Sequence, residues 1–292
     1  MVEKVTVPSL IQKFHADESL IMLTAYDYTI ARILDEANVD CILVGDSLGM
    51  VVQGQQNTLA VTLDEMIYHA KLVRRAARRA LLVADMPFMT YQVSALQALE
   101  NAGRLVKEAG VEAVKIEGGS EYAETVSKIV AAGIPVMGHL GLMPSKVNLM
   151  GGFKVQGKTA EQAEQILADA KLLEQAGVFS LVLEGIPAEL AKAVSDSISI
   201  PTIGIGAGID CAGQVLVTYD LIGLSAEQGY VSPKFVKRYA ELNTIIRHAV
   251  EAFTEDVKGK RFPAKENTYA ATVETKPKPK VGLRAVPDIK LC

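Results

Sequence analysis

Cysteine is scarce in this chain of 292 residues: there are three, Cys41, Cys211 and Cys292. With no CxxC pair among them they cannot form a disulfide framework, so a reducing compartment is expected, the cytoplasm in the first instance. Long apolar runs are missing as well. Cys41–Val44 and Ala80–Ala84 fall far short of the ~20 residues that a bilayer-crossing helix needs, and no membrane association is expected. The opening Met1-Val-Glu-Lys-Val lacks the basic-then-apolar order of a secretory leader. Nor is there a large excess of one charge. The formal net charge of −4 gives no electrostatic reason to expect nucleic acid as a partner. One basic cluster, Lys71 to Arg79, is expected on the solvated face and C-terminal end of a helix, where cations suit the macrodipole.

Apolar residues, by contrast, make up 49% of the chain, ample for a substantial core. They recur as short runs: Leu20–Thr24, Cys41–Gly45, Leu81–Ala84, Ala113–Ile116, Pro135–Gly138, Ser180–Leu183, Thr202–Ile205 and Gln214–Val217. Near-continuous apolar character is what strands buried on both faces require. Between the runs lie amphipathic stretches, and Thr62–Glu65, Ser94–Gln97 and Thr159–Gln162 each have capping-box spacing. This alternation predicts an α/β protein, a TIM (β/α)8 barrel of one domain with an N-terminal helix and a C-terminal tail. An open doubly wound sheet is the structural rival. Residues 1–263 are assigned to the catalytic barrel and 264–292 to the tail, where Thr275-Lys-Pro-Lys-Pro-Lys280 marks a change of composition. A last helix is expected from about Pro233 to Val257. The long connections Ser47–Val61 and Gly141–Lys158 follow strands and should lie on the C-terminal face, where such barrels build their sites.

Charged residues interrupt the apolar strands at their ends. Asp46 follows the second strand, Asp85 the third, Lys115 and Glu117 the fourth, His139 the fifth and Glu184 the sixth. Side chains alternate with period two, so Asp46 should share a face with Val44, Asp85 with Val83, Lys115 with Glu117, and Glu184 with Val182. If those faces point inward, four carboxylates, a lysine and an imidazole converge at one mouth. Such acids repel one another unless a cation neutralises them. Oxygen ligands suit a hard ion, with Mg²⁺ expected and Mn²⁺ or Co²⁺ as substitutes. A 2-oxo acid chelating that ion would gain an acidic neighbouring C–H, and a carboxylate away from the metal would be the base. Spacing alone does not say which one. Gly204-Ile-Gly206-Ala-Gly208 has two readings, a phosphate cradle or a turn that lets the backbone approach another group closely.

With these segments in place, the chain resembles the ketopantoate (3-methyl-2-oxobutanoate) hydroxymethyltransferase family. The matching stretches are Leu43-Val-Gly-Asp-Ser-Leu-Gly49, Ala84-Asp-Met-Pro-Phe-Met89, Val114-Lys-Ile-Glu-Gly-Gly119 and Gly138-His-Leu-Gly-Leu142. They continue with Gly151-Gly-Phe-Lys-Val-Gln-Gly157, Ile203-Gly-Ile-Gly-Ala-Gly208 and Pro233-Lys-Phe235, in order over residues 4 to 270. The resemblance implies hydroxymethyl transfer from 5,10-methylenetetrahydrofolate to 3-methyl-2-oxobutanoate through a metal-stabilised enolate, giving 2-dehydropantoate in pantothenate biosynthesis. It implies Mg²⁺ held by Asp46, Asp85 and Glu117. The substrate acid would be held by Ser47 and Lys115 with Asp46 and Asp85, with His139 in the pocket, and Glu184 would accept the proton. It also implies small-molecule substrates and a homo-oligomer, a decamer. Gly185 stands where the family commonly has cysteine, which is expected to loosen the backbone of Glu184. A metal-dependent 2-oxo acid carbon–carbon lyase of the same barrel type is the alternative.

Overall fold

The structure, a computed structural model, describes residues 3–225 and 233–270. All eight expected strands form, in order: β1 (Leu20–Thr24), β2 (Cys41–Val44), β3 (Leu81–Asp85), β4 (Ala113–Glu117), β5 (Val136–Gly141), β6 (Ser180–Glu184), β7 (Thr202–Ile205) and β8 (Gly213–Leu216). Each pairs in parallel with its neighbours, and β8 returns to β1 to close the barrel. The period-two pattern then splits the core into two layers. Leu43, Val83, Ala113, Met137, Val182 and Ile203 fill the barrel interior, while Ile42, Val44, Leu82, Val114 and Leu183 face the surrounding helices. From β2 to β7 side chains on both faces are buried, which is why those strands read as unbroken apolar runs, whereas Ile21 of β1 and Gln214 of β8 are exposed.

Local chemistry starts the helices where expected. Thr62 caps Leu63–Arg74 by a reciprocal capping box with Glu65, and Ser94 and Thr159 accept N–H bonds at the starts of Ala95–Arg104 and Ala160–Ala176. The N-terminal helix Val7–His15 closes the foot of the barrel, where Val5 and Leu10 join the inner layer. Ion pairs fasten it there: Lys4 to Glu112 at 2.7 Å and Lys13 to Asp40 at 2.8 Å. One crossover lacks a helix, since residues 206–212 alone link β7 to β8.

The chain divides into two compact units, Met1–Asn243 and Thr244–Cys292, and the barrel lies entirely in the first. The last long helix runs over Leu242–Lys258, starting later than Pro233. The reason is visible in the backbone. Val236 N–H turns back to the Pro233 carbonyl, but Tyr239, Leu242 and Asn243 donate their N–H groups to the carbonyls of Leu221, Ile222 and Gly223, so these three are held by the turn after β8 and not by their own preceding turn. In the second unit the described residues end with a short turn at Lys265–Asn267. The Lys-Pro repeat of the expected tail lies outside the described residues.

Candidate active site

Register places the charged groups side by side at the C-terminal mouth. Asp85 on β3 pairs in register with Lys115 on β4, and Glu117 on β4 with His139 on β5. Lys115 Nζ lies 2.9 Å from Asp85 Oδ1, 3.8 Å from Glu117 Oε1 and 3.1 Å from His139 Nδ1. On its far side His139 Nε2 lies 3.3 Å from Glu184 Oε2. Asp46, Asp85, Lys115 and Glu117 are each only 5% exposed, whereas the Glu184 side chain keeps 17% of its surface open. Neither Asp85 Oδ1 nor His139 Nε2 has a partner in hydrogen-bonding geometry, so these two contacts are ionic and polar rather than directed bonds.

The alternation argument holds for Asp85, Lys115, Glu117 and Glu184 and fails for Asp46. Val44 belongs to the outer layer, and β2 ends there. Asp46 reaches the mouth because the turn after β2 swings it inward, where its backbone N–H donates to Asp85 Oδ2 at 3.0 Å. Gly45 makes that turn possible: a Cβ there would press on Ser47 Oγ at 2.8 Å. Ser47 Oγ in turn shares a hydrogen bond of 2.8 Å with the buried Tyr26 hydroxyl.

The cluster carries more acid than its bases can balance. Burial, then the charges of Asp85 and Glu117, push the Asp46 carboxyl well above the usual carboxylate range. Burial also raises Asp85, against the pull of Lys115. The Lys115 ammonium is opposed by burial, but Asp85, Glu117 and Asp46 outweigh this and hold it charged. Glu117 goes the other way: burial is overcome by His139, Lys115 and Ser145, and its carboxyl is lowered. At His139, burial and Lys115 disfavour the charged ring, yet the carboxylates of Glu117 and Glu184 beside it leave its pKa raised.

This donor set fits a hard divalent cation: three buried carboxylates, two of them pushed up by burial and by the neighbouring acids. Among the described residues no three His, Cys, Asp or Glu side chains form a ready-made cage. Glu117 is the least free of the three, because Ser145 donates both its N–H, at 3.0 Å, and its hydroxyl, at 2.5 Å, to Glu117 Oε2. Ser145 and Tyr26 escaped the sequence reading, since a hydroxyl on a loop has no periodicity to reveal it. Tyr91 is fully buried and donates its hydroxyl to the Glu117 carbonyl at 2.9 Å.

The backbone of Glu184 is pinned, not loosened, by its surroundings. Leu142 N–H donates to the Glu184 carbonyl at 2.8 Å, Gly185 N–H donates to the Ile205 carbonyl at 2.9 Å, and Gln156 N–H donates to the Gly185 carbonyl at 2.9 Å. In the loop after β7, Gly206 has φ +62°, and a Cβ there would strike Phe235 at 2.7 Å. Close approach by the chain's own Phe235 side chain accounts for that glycine.

Comparison with known proteins follows the same lines. A family model described as ketopantoate hydroxymethyltransferase matches residues 4–265. The 3-methyl-2-oxobutanoate hydroxymethyltransferase of Thermoanaerobacter sp. (strain X514) is 53% identical over 270 residues, covering 92% of this chain and 97% of that protein. That of Clostridioides difficile (strain 630) is 51% identical over 267 residues, covering 91% and 96%. Among solved structures, phosphoenolpyruvate phosphomutase from Streptomyces platensis subsp. rosaceus superposes with a TM-score of 0.59 at 15% identity, covering 91% of this chain and 92% of that one. A phosphonopyruvate hydrolase in complex with oxalate and Mg²⁺ gives 0.56 at 11% identity, with 90% and 93% covered. These two show the barrel fold alone.

Proposed function

The chain belongs to the ketopantoate hydroxymethyltransferase family, and from that premise we propose how its barrel mouth performs hydroxymethyl transfer to 3-methyl-2-oxobutanoate. The one-carbon donor in this proposal is 5,10-methylenetetrahydrofolate, the product is 2-dehydropantoate, and the step belongs to pantothenate biosynthesis. Glu184 is the proton acceptor. Among the four acids of the mouth it alone keeps an open flank, while the other three are buried around Lys115.

Asp46, Asp85 and Glu117 would hold Mg²⁺, which when bound supplies Lewis acidity toward the keto oxygen of the acid. Lys115 and Ser47 hold the substrate carboxylate, with Asp46 and Asp85 flanking it. The held charge of Lys115 and its short reach to Asp85 support a positioning role for this ammonium. The Glu184 carboxylate takes the C3 proton, and the electron pair left behind attacks the methylene carbon of the donor. Both carbon–nitrogen bonds at that methylene break, water supplies the hydroxyl, and tetrahydrofolate leaves with one proton returned by Glu184 and one taken from the water. Burial of Lys115, Asp85 and Glu117 keeps bulk water from competing for these groups. Among the described residues no helix is long and apolar enough to cross a membrane. We place the enzyme in the cytoplasm as a homo-oligomer, the decamer that the family resemblance implies.

Proton NMR of 3-methyl-2-oxobutanoate in D₂O tests the reading directly, with Mg²⁺ in one sample and excess EDTA in the other. Loss of the C3 proton signal only in the Mg²⁺ sample is the expected result. Equal loss in both removes the metal from the proposal. No loss in either, with tetrahydrofolate added as well, removes the substrate.

A further inference from the structure

His139 lies between two of the groups assigned above and has no part in the chemistry so far. It is 2% exposed, and register fixes its ring between Glu117 on β4 and Val182 on β6. One ring nitrogen, Nδ1, faces Lys115 Nζ at 3.1 Å and Glu117 Oε1 at 3.5 Å. The other, Nε2, faces Glu184 Oε2 at 3.3 Å and is buried without a partner in hydrogen-bonding geometry. An ammonium has no lone pair, so Lys115 can meet Nδ1 favourably only by donating to it. A neutral ring in that contact carries its hydrogen on Nε2. A doubly protonated ring carries one there too. In either state Nε2 carries a hydrogen on the edge of the ring that faces Glu184, 3.3 Å from its carboxylate and off the line of a directed bond.

Resting on the assignment of Glu184 as proton acceptor, we propose that His139 is its positioning residue. A small turn of the partly open Glu184 carboxylate brings one of its oxygens into line with Nε2–H, and the other oxygen is thereby aimed at the C3 proton. Asp85, Lys115, His139 and Glu184 form one chain across four adjacent strands, with contacts of 2.9, 3.1 and 3.3 Å. The site that grips the substrate carboxylate thus also sets the angle of the base. Buried hydrogen-bond networks of this kind fix a single side-chain geometry, and a misplacement of about 1 Å at a reacting group can cost roughly 10²-fold in rate.

Two substitutions separate this role from substrate binding. In His139→Asn the amide falls near Nδ1 and can still meet Lys115, but it does not reach Glu184. In His139→Gln the amide nitrogen falls near Nε2 and can donate to Glu184. The assays are C3 proton exchange in D₂O and the KM for 3-methyl-2-oxobutanoate. Exchange in His139→Asn should fall about 10²-fold with KM within about threefold of wild type, and His139→Gln should recover at least about tenfold of that loss. A raised KM at unchanged exchange rate, or equal losses in the two variants, overturns the proposal. A second measurement does not depend on substrate or on folding of the variants: the ¹⁵N ring spectrum of the wild-type chain, which has four histidines. A protonated Nε2 at His139 is expected, and a bare Nε2 overturns the positioning role. Absence of exchange in wild type counts against the assignment of Glu184, and the ring spectrum still decides whether the hydrogen bond exists.

Discussion

Replacing Lys115 by methionine keeps the length of the side chain and removes the charge that three buried acids share. At an effective dielectric of about 20, unit charges at the observed separations of 2.9 and 3.8 Å attract by roughly 6 and roughly 4 kcal/mol. The cost of burying the ammonium offsets much of this, and removing one partner of a buried pair typically costs about 3–5 kcal/mol. The lower end applies here, because Asp46 and Asp85, already raised, can take up protons and relieve the repulsion. At about 2–4 °C per kcal/mol for a domain of this size, the metal-free variant should melt roughly 6–12 °C below wild type. The same vacancy of charge should favour a divalent cation. Melting is followed by circular dichroism in excess EDTA and then in rising Mg²⁺, and the Mg²⁺-induced rise should be larger in Lys115→Met than in wild type. Equal melting in EDTA, or a smaller rise with Mg²⁺, refutes the electrostatic account of the mouth.

Glu184→Gln should bind 3-methyl-2-oxobutanoate with nearly unchanged affinity and lose C3 proton exchange by at least about 10²-fold; exchange near the wild-type rate takes the base role from Glu184. Cation binding should depend on pH in a definite direction. Asp46 and Asp85 are raised in the metal-free protein, so they hold protons at pH values where ordinary carboxylates do not, and a cation must displace them. Affinity for Mg²⁺ should therefore fall as pH falls through that raised range, with proton release seen by calorimetry in buffers of different ionisation heat; a flat affinity between about pH 8 and pH 5 contradicts it. At the foot of the barrel, Asp40→Ala strips Lys13 and the Ile21 N–H of a buried acceptor, and should destabilise the fold by about 3 kcal/mol. Its proton exchange rate, measured well below the melting temperature, should match wild type.

The barrel was legible because its physics is periodic. Strands buried on two faces read as runs of Val, Ile and Leu, and a charged residue at the end of such a run can only be tolerated at a mouth. Asp85, Lys115, Glu117 and Glu184 were found that way. Asp46 was named through the wrong face: β2 stops at Val44, and a turn around Gly45, not alternation, carries Asp46 inward. Ser145 and Tyr26 were invisible for a related reason, since their hydroxyls act through contacts that tertiary folding creates. The late start of the last helix belongs to the same class. Its sequence from Pro233 onward permits a helix, but the carbonyls after β8 bind those N–H groups first.

The loop that follows β5 is tied down near both ends, by Ser145 to Glu117 and Lys146 to Glu121 at one and by Gln156 to Gly185 at the other. Between the knots, Leu149 is 85% exposed and Phe153 49%. A suspended span of this kind can grow or shrink by a few residues with an entropic cost that rises only with the logarithm of its length. Natural variation can therefore rewrite the rim of the barrel without disturbing Glu117 or Glu184, because the knots and not the span hold them. Insertions there should be tolerated, and changes at either knot should not.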